Sequence, residues 1–143
     1  MSIAENLKNI REKIRHAAES AGRAPESVQL LSVSKTRKPE EIREAFESGQ
    51  ILFGENYIQE ALEKGETLKN LPLSWHFIGH LQSNKARFAV KFFDLIHSVD
   101  SVKLAAEINK HAAKEEKIQK LLIQVRLGDE ESKSGIAQES LQG

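Results

Sequence analysis

Short apolar runs alternate with amphipathic helical segments along nearly the whole chain, and this alternation restricts the fold more than any other property of the sequence. "VQLLSV" reads as a strand, and "KPEEIREAFESG" behind it reads as a helix. Pro39 suits the first helical turn, Ile42, Ala45 and Phe46 form one face, and Gly49 ends the segment. The unit then repeats: "QILFG" with "ENYIQEALEKG", "LSWHFIG" with "SNKARFAVKFF", and "DLIHSV" with "DSVKLAAEINKHAAKEEK". In the last of these, Asp100 or Ser101 is the cap, and Leu104, Ala105, Ile108 and Ala112 make the inner face. "KLLIQVRL" is the fifth strand, and a further helix is expected to begin near Ile136. Ahead of all units, Ile3, Leu7, Ile10, Ile14, Ala17 and Ala21 recur three and four apart, a stripe on a helix that Gly22 can end.

Strand and helix in strict alternation predict an α/β fold of parallel βα units, arranged as a doubly wound sheet or a barrel. The regular spacing of the units favours the barrel. A complete TIM-type barrel has eight units and about 250 residues, whereas 143 residues supply five. The expectation is therefore the N-terminal five βα units of a (β/α)8 barrel preceded by one helix, with residues 1–143 forming a single domain that looks truncated at its C-terminal side. Such a fragment leaves two sheet edges and an apolar inner face uncovered, which predicts self-association, swapping of elements, or a more open sheet.

Composition narrows the function by exclusion. Lys+Arg and Asp+Glu both total 21, so no net field draws the molecule to nucleic acid or to an anionic membrane. With no cysteine there is no disulfide, no thiolate chemistry and no Cys-based zinc site. The N-terminal segment carries charges throughout and no later run approaches a membrane span, so a cytoplasmic protein is expected. No glycine pattern matches a P-loop or a dinucleotide fingerprint, and no G-x-S-x-G elbow occurs.

In parallel α/β folds the working residues sit where strands end, because the strand holds their backbone while the loop admits ligand. Those positions are Ser34-Lys35-Thr36, Gly54-Glu55-Asn56, Gly79-His80, Ser98-Val99-Asp100 and Arg126. In "LLSVSKTRKP", Lys35 leaves the end of an apolar strand and is expected to be held there, partly stripped of water. Burial of an amine lowers its pKa and enlarges the fraction able to attack a carbonyl. A lysine reaching from the strand end into solvent is the alternative. In "FGENY", Gly54 is expected at a tight turn, and Asn56 is either a ligand hydrogen-bonder or, with Glu55, a helix cap. His76 and His80 lie across a strand and its turn and have no H-E-x-x-H companion, so a metal site is not expected. His76 shares parity with Ile78, opposite Trp75 and Phe77, and a hydrogen-bonded core histidine is its alternative account. Ser83 is expected to cap the next helix. Lys85 on its first turn opposes the helix dipole, which points to an anionic partner or to a solvated surface lysine.

Five stretches, "LLSVSKTRKP", "FGENYIQEALEK", "WHFIGHLQSNK", "LIHSVDSVKLAAEIN" and "GDEESKSG", resemble the YggS/PROSC family of pyridoxal 5′-phosphate (PLP) homeostasis proteins in order and separation. The resemblance spans nearly the whole chain. It implies a fold like the alanine racemase N-terminal domain, with PLP held as a Schiff base by a lysine at the end of the first barrel strand, which is Lys35 here. It also implies that Asn56 lies close to the cofactor, that His76 and Ser98 form part of the surrounding wall, and that Lys133 in "ESKSG" helps to hand PLP to acceptor apo-enzymes. No catalytic turnover is implied; members are thought to bind, buffer and deliver PLP. Two features depart from the family. Arg126 stands where a small amide is usual after "QV", and the loops that usually form the phosphate cup after the last strands are missing from this sequence. A racemase-type PLP enzyme, and a remnant that no longer holds PLP, are the competing readings.

Overall fold

Each apolar run forms a strand of one parallel sheet, and the helical segments pack mainly against one of its faces. The computed structural model describes residues 1–128 and 134–141. Helix α1 (Ile3–Ser20) leads into β1 (Ser32–Val33), α2 (Pro39–Glu47), β2 (Leu52–Glu55), α3 (Ile58–Thr67), β3 (Ser74–Phe77), α4 (Ala86–Phe92), β4 (Leu95–Val99), α5 (Val102–Lys114) and β5 (Lys120–Ile123). The sheet order is β1-β2-β3-β4-β5, with every pair parallel. Consecutive strands are neighbours throughout, which is barrel order; a doubly wound sheet reverses at a switch point. The expected α/β run of barrel-like βα units is present.

Strand parity divides the side chains between two environments. Phe53, Trp75, Phe77 and Ile96 are buried against Ala61, Leu68, Val90, Phe93, Leu104 and Ile108. Trp75 sits 5.8 Å from the Phe53 ring centroid and 5.6 Å from that of Phe92, and Phe77 lies 5.1 Å from Phe93. The opposite, inner face carries Leu31, Gly54, His76 and Ile78. A Cβ at Gly54 would come within 3.1 Å of both the Leu31 and Ile78 side chains, so these residues close on one another over β2.

Local signals set the helix ends. Ser2 and Glu5 form a reciprocal capping box on α1. Pro39 occupies the first turn of α2, where its missing N–H costs nothing. At the start of α5 it is Ser101, not Asp100, whose hydroxyl accepts the Leu104 N–H at 3.1 Å. Gly22 and Gly49 follow α1 and α2 with φ of +71° and +88°, a conformation available to glycine without a Cβ clash.

Several expectations are corrected. "VQLLSV" pairs only at Ser32–Val33, because β1 is an edge strand and the Gln50 side chain takes over below it, donating to the carbonyls of Leu30 at 2.7 Å and Leu52 at 2.8 Å. Of the expected α1 stripe only Leu7 is buried; Ile10, Ala17 and Ala21 are exposed, and Ala18, outside that stripe, is the helix's other buried residue. Arg11 sets this docking by donating to the Ser48 carbonyl at 2.7 Å and to Gln50 Oε1 at 3.0 Å. Gly54 lies within β2, not at a turn. Residues Ser83–Lys85 form a 3-10 turn ahead of α4, and Ser83 caps nothing. "KLLIQVRL" breaks at Gln124, where the backbone bonds to Val99 on one side and Ile136 on the other, both at 2.8 Å. Past it, β6 (Val125–Arg126) pairs with β7 (Ile136–Ala137) in a second small parallel sheet. The segment near Ile136 is therefore strand and then a 3-10 turn, not the expected helix.

The sheet of the described residues ends at β1 and β5. Near those edges, Val33 is 52% exposed and Leu122 49% exposed, values far from those of a closed core. On the helical face, by contrast, packing is tight enough to decide the effect of one methyl group. A Cβ at Gly65 would sit 2.3 Å from Phe92 Cε2, so Gly65→Ala is expected to lower stability by about 1–2 kcal/mol even though alanine is the better helix former by about 1 kcal/mol. Urea unfolding of the two proteins checks the sign; an increase in stability would show that Phe92 yields without cost.

Candidate functional site

Because all five strands run the same way, their C-terminal ends bring the polar residues of five separate motifs to one rim. The β1 ladder continues past its last paired residue, with the Ser34 N–H bonded to the Gly54 carbonyl at 3.0 Å. Beside it, the chain leaving β3 crosses over the backbone of Asn56. A Cβ at Gly79 would lie 2.1 Å from the Asn56 carbonyl oxygen, so only glycine permits this approach.

Lys35 has the parity of Leu31 and Val33, which starts its side chain on the inner-face side of β1. It is exposed, and its amine has no hydrogen bond or ion pair among the described residues. The expectation of a lysine stripped of water is corrected: β1 is an edge strand and no described element covers its end. Asn56 does not cap α3, and neither does Glu55; the residue before the helix is Tyr57, with no side-chain cap bond. Instead, Asn56 Oδ1 is buried without a partner among the described residues, as is Ser98 Oγ. Ser98 sits where the pairing of β4 with β5 shifts between Ile96 and Val99.

His76 Nδ1 lies 2.9 Å from His97 Nε2 on the neighbouring strand; His76 is thus hydrogen-bonded, but it is half-buried and outside the core, not the core histidine of the alternative account. Burial holds both imidazoles below the ordinary value of 6.5; at His76 the His97 charge adds to this and Asp94 opposes it. Arg126 Nε is a third buried atom without a partner. Lys85 is exposed and lies 5.8 Å from the centre of the Phe88 ring, as expected of a solvated surface lysine. No cluster of three or more metal-ligating side chains occurs among the described residues. Lys133 lies outside them.

The strongest polar arrangement near the rim was missing from the sequence reading. Lys64, on α3, is 5% exposed, and its ammonium donates to Glu55 Oε1 at 2.6 Å, Glu60 Oε1 at 2.7 Å and the Ser34 carbonyl at 2.5 Å. Glu55 is wholly buried and also accepts the Ser34 hydroxyl at 3.1 Å. Burial pushes the Glu55 carboxyl up, with the Lys64 hydrogen bond pulling it back, while the same lysine holds Glu60 down. Glu60 also accepts the N–H of Thr36, whose φ of +63° is rarely adopted by a β-branched residue and costs about 1–3 kcal/mol. One signal was available: Glu60 and Lys64 are spaced i,i+4.

Asn56 Oδ1, Ser98 Oγ, Arg126 Nε and the free amine of Lys35 are each able to bond a small polar ligand, but the cavity that Asn56 lines is shared with Tyr57, His80, Gln82 and Lys85 and not with the other three. Comparison with known proteins bears on which ligand. The alanine racemase N-terminal domain family matches residues 5–143. The pyridoxal phosphate homeostasis protein of Pasteurella multocida is 45% identical over 138 residues, covering 95% of this chain and 59% of that protein. Its counterpart in Aquifex aeolicus is 46% identical over 141 residues, covering 99% and 62%. Two structures of PipY from Synechococcus elongatus are also similar: one without PLP, with a TM-score of 0.88 and 44% identity, and one with PLP bound, with a TM-score of 0.85 and 43% identity. Each covers 99% of this chain, which spans 61% of that one. The chain thus spans about three fifths of the length of the relatives it matches. Matched over almost all its length, it belongs to the alanine racemase N-terminal domain family.

Proposed function

We propose that this chain binds PLP in a cytoplasmic PLP homeostasis protein, with Lys35 as the capturing amine, and that it holds and delivers the cofactor to apo-enzymes without turning over a substrate of its own. The carrying observation is the free amine of Lys35 at the rim beside strand ends that present buried polar atoms without partners. The names of the homeostasis relatives and the PLP-bound PipY structure support the same reading. Among the described residues no helix is long and apolar enough to cross a membrane. The open edges at β1 and β5, with Val33 and Leu122 exposed, support self-association of this chain as part of the same reading.

Such a cofactor supplies an aldehyde, which condenses with a lysine amine to give an imine and water. Lys35 offers that amine on a flexible stem in solvent. Asn56 Oδ1 can accept a hydrogen bond, Ser98 Oγ can donate or accept one, and Arg126 can meet an anionic group. His76 and His97 present a neutral wall near pH 7, because their burial disfavours the cation.

Visible absorbance with added PLP, borohydride reduction and peptide mapping test the assignment. A single adduct on Lys35 is expected, with Lys35→Ala weakening PLP binding by at least about tenfold, or about 1.4 kcal/mol. Labelling scattered over surface lysines would support the reading of a remnant that no longer holds PLP. The histidine pair carries a second expectation. Its lowered pKa means that the unfolded chain binds more protons just below 6.5, so this contribution to stability is present above 6.5 and is lost as pH falls through the depressed folded values. Glu55, raised by burial, works in the opposite direction above 4.5. The difference between the wild type and His97→Gln isolates the histidines: the variant is expected to lose less stability between pH 7 and 5 in urea titrations, and equal losses would remove them as the cause.

A further inference from the structure

Although the Lys35 side chain is free, the peptide groups on both sides of it are not. The carbonyl of Ser34 accepts from Lys64, and the N–H of Thr36 donates to Glu60. Both holding side chains come from α3, one turn apart, and they bond to each other. Glu55 at the end of β2 takes the remaining proton of the Lys64 ammonium, so all three donors are used, with Lys64 and Glu55 buried and Glu60 partly exposed. Thr36, directly after the lysine, is kept in the left-handed region that a threonine leaves when nothing holds it.

An ion pair that only joins α3 to the sheet would need no more than Glu55 and Lys64, and apolar side chains of similar size perform that role equally well. The bonds to the backbone of residues 34 and 36 are not explained by joining. We propose that Lys64, Glu60 and Glu55 are positioning residues that clamp the two peptide groups flanking Lys35, fixing where its stem leaves the strand and keeping its amine over the rim while leaving it in solvent. A long lysine side chain loses much rotamer freedom when it is captured, and a fixed Cα confines the volume that its amine must search. The inference rests on the reading of Lys35 as the PLP-capturing residue.

The test uses the full chain with PLP itself as probe and compares Glu60→Ala, Glu60→Gln, Lys64→Met and the double variant Glu60→Ala with Thr36→Gly. Three readouts are taken: PLP affinity with mapping of the reduced adduct, hydrogen exchange of the peptide containing Thr36 without PLP, and thermal melting. Glu60→Ala is expected to weaken capture at Lys35 by about 5–20-fold and to speed exchange at Thr36 by about tenfold or more. Glu60→Gln keeps an acceptor oxygen and is expected to stay within about threefold of wild type. Adding Thr36→Gly to Glu60→Ala is expected to recover most of the lost affinity, because glycine holds a positive φ without strain. That rescue is the outcome a merely stabilising role would not produce. Lys64→Met is expected to lose about tenfold or more; if it does not fold, the Glu60 variants decide, since that side chain is 26% exposed.

An adduct on wild-type Lys35 with unchanged capture in Glu60→Ala overturns the clamp and leaves the PLP reading standing. Losses that follow melting temperature and ignore Thr36→Gly overturn it equally. No adduct on wild-type Lys35 overturns both.

Discussion

A single buried ammonium organises the rim. Lys64 reaches from α3 to the end of β1 through the Ser34 carbonyl and to the end of β2 through Glu55, and it gathers Glu60 from its own helix. Removing these charges from water is costly, and their mutual attraction offsets that cost only where every lone pair and proton finds a partner. Here the ammonium is fully used, whereas Glu55 Oε2 is buried without a partner, which agrees with the upward push that burial gives this carboxyl. The arrangement therefore does not serve stability alone. Its hydrogen bonds go to the backbone around the one lysine that the family resemblance singles out.

The inner face of the sheet shows the opposite economy of contacts. Phe53, Trp75, Phe77 and Ile96 are closed under the helices, while the other side of the same strands carries glycine, two histidines bonded to each other, and apolar residues in partial contact with solvent. Packing on the helical face is close between α3 and α4, as the Gly65 approach to Phe92 illustrates. At the strand ends, Asn56 and Ser98 keep buried polar atoms unpaired among the described residues. Natural folds rarely tolerate such atoms unless something else completes them.

Most of the architecture was legible because strand and helix periods are local properties. The positions of α2 and α5, Pro39 in the first turn of α2, a cap at Asp100 or Ser101, and the parity that sends His76 away from Trp75 all follow from neighbours a few residues apart. The errors occur where distant groups compete with local preference. Gln50 replaces ladder bonds below β1, Arg11 sets how α1 docks, and Gln124 hands the chain from one sheet to another where a continuous strand was expected. None of these side chains is distinctive in its own segment.

By itself the sequence determined the order of parallel βα units, the faces that must be buried, and the set of polar residues delivered to one end of the strands, because each depends on spacing along the chain. Tertiary structure alone decided that Lys35 stands in solvent on an edge strand, that His76 meets His97, and that Glu55, Glu60 and Lys64 close around the backbone of Ser34 and Thr36. The physical reason is that water access and hydrogen-bond partnership belong to pairs of groups distant along the chain. Only the packing of α3 against the strand ends brings those groups within bonding distance.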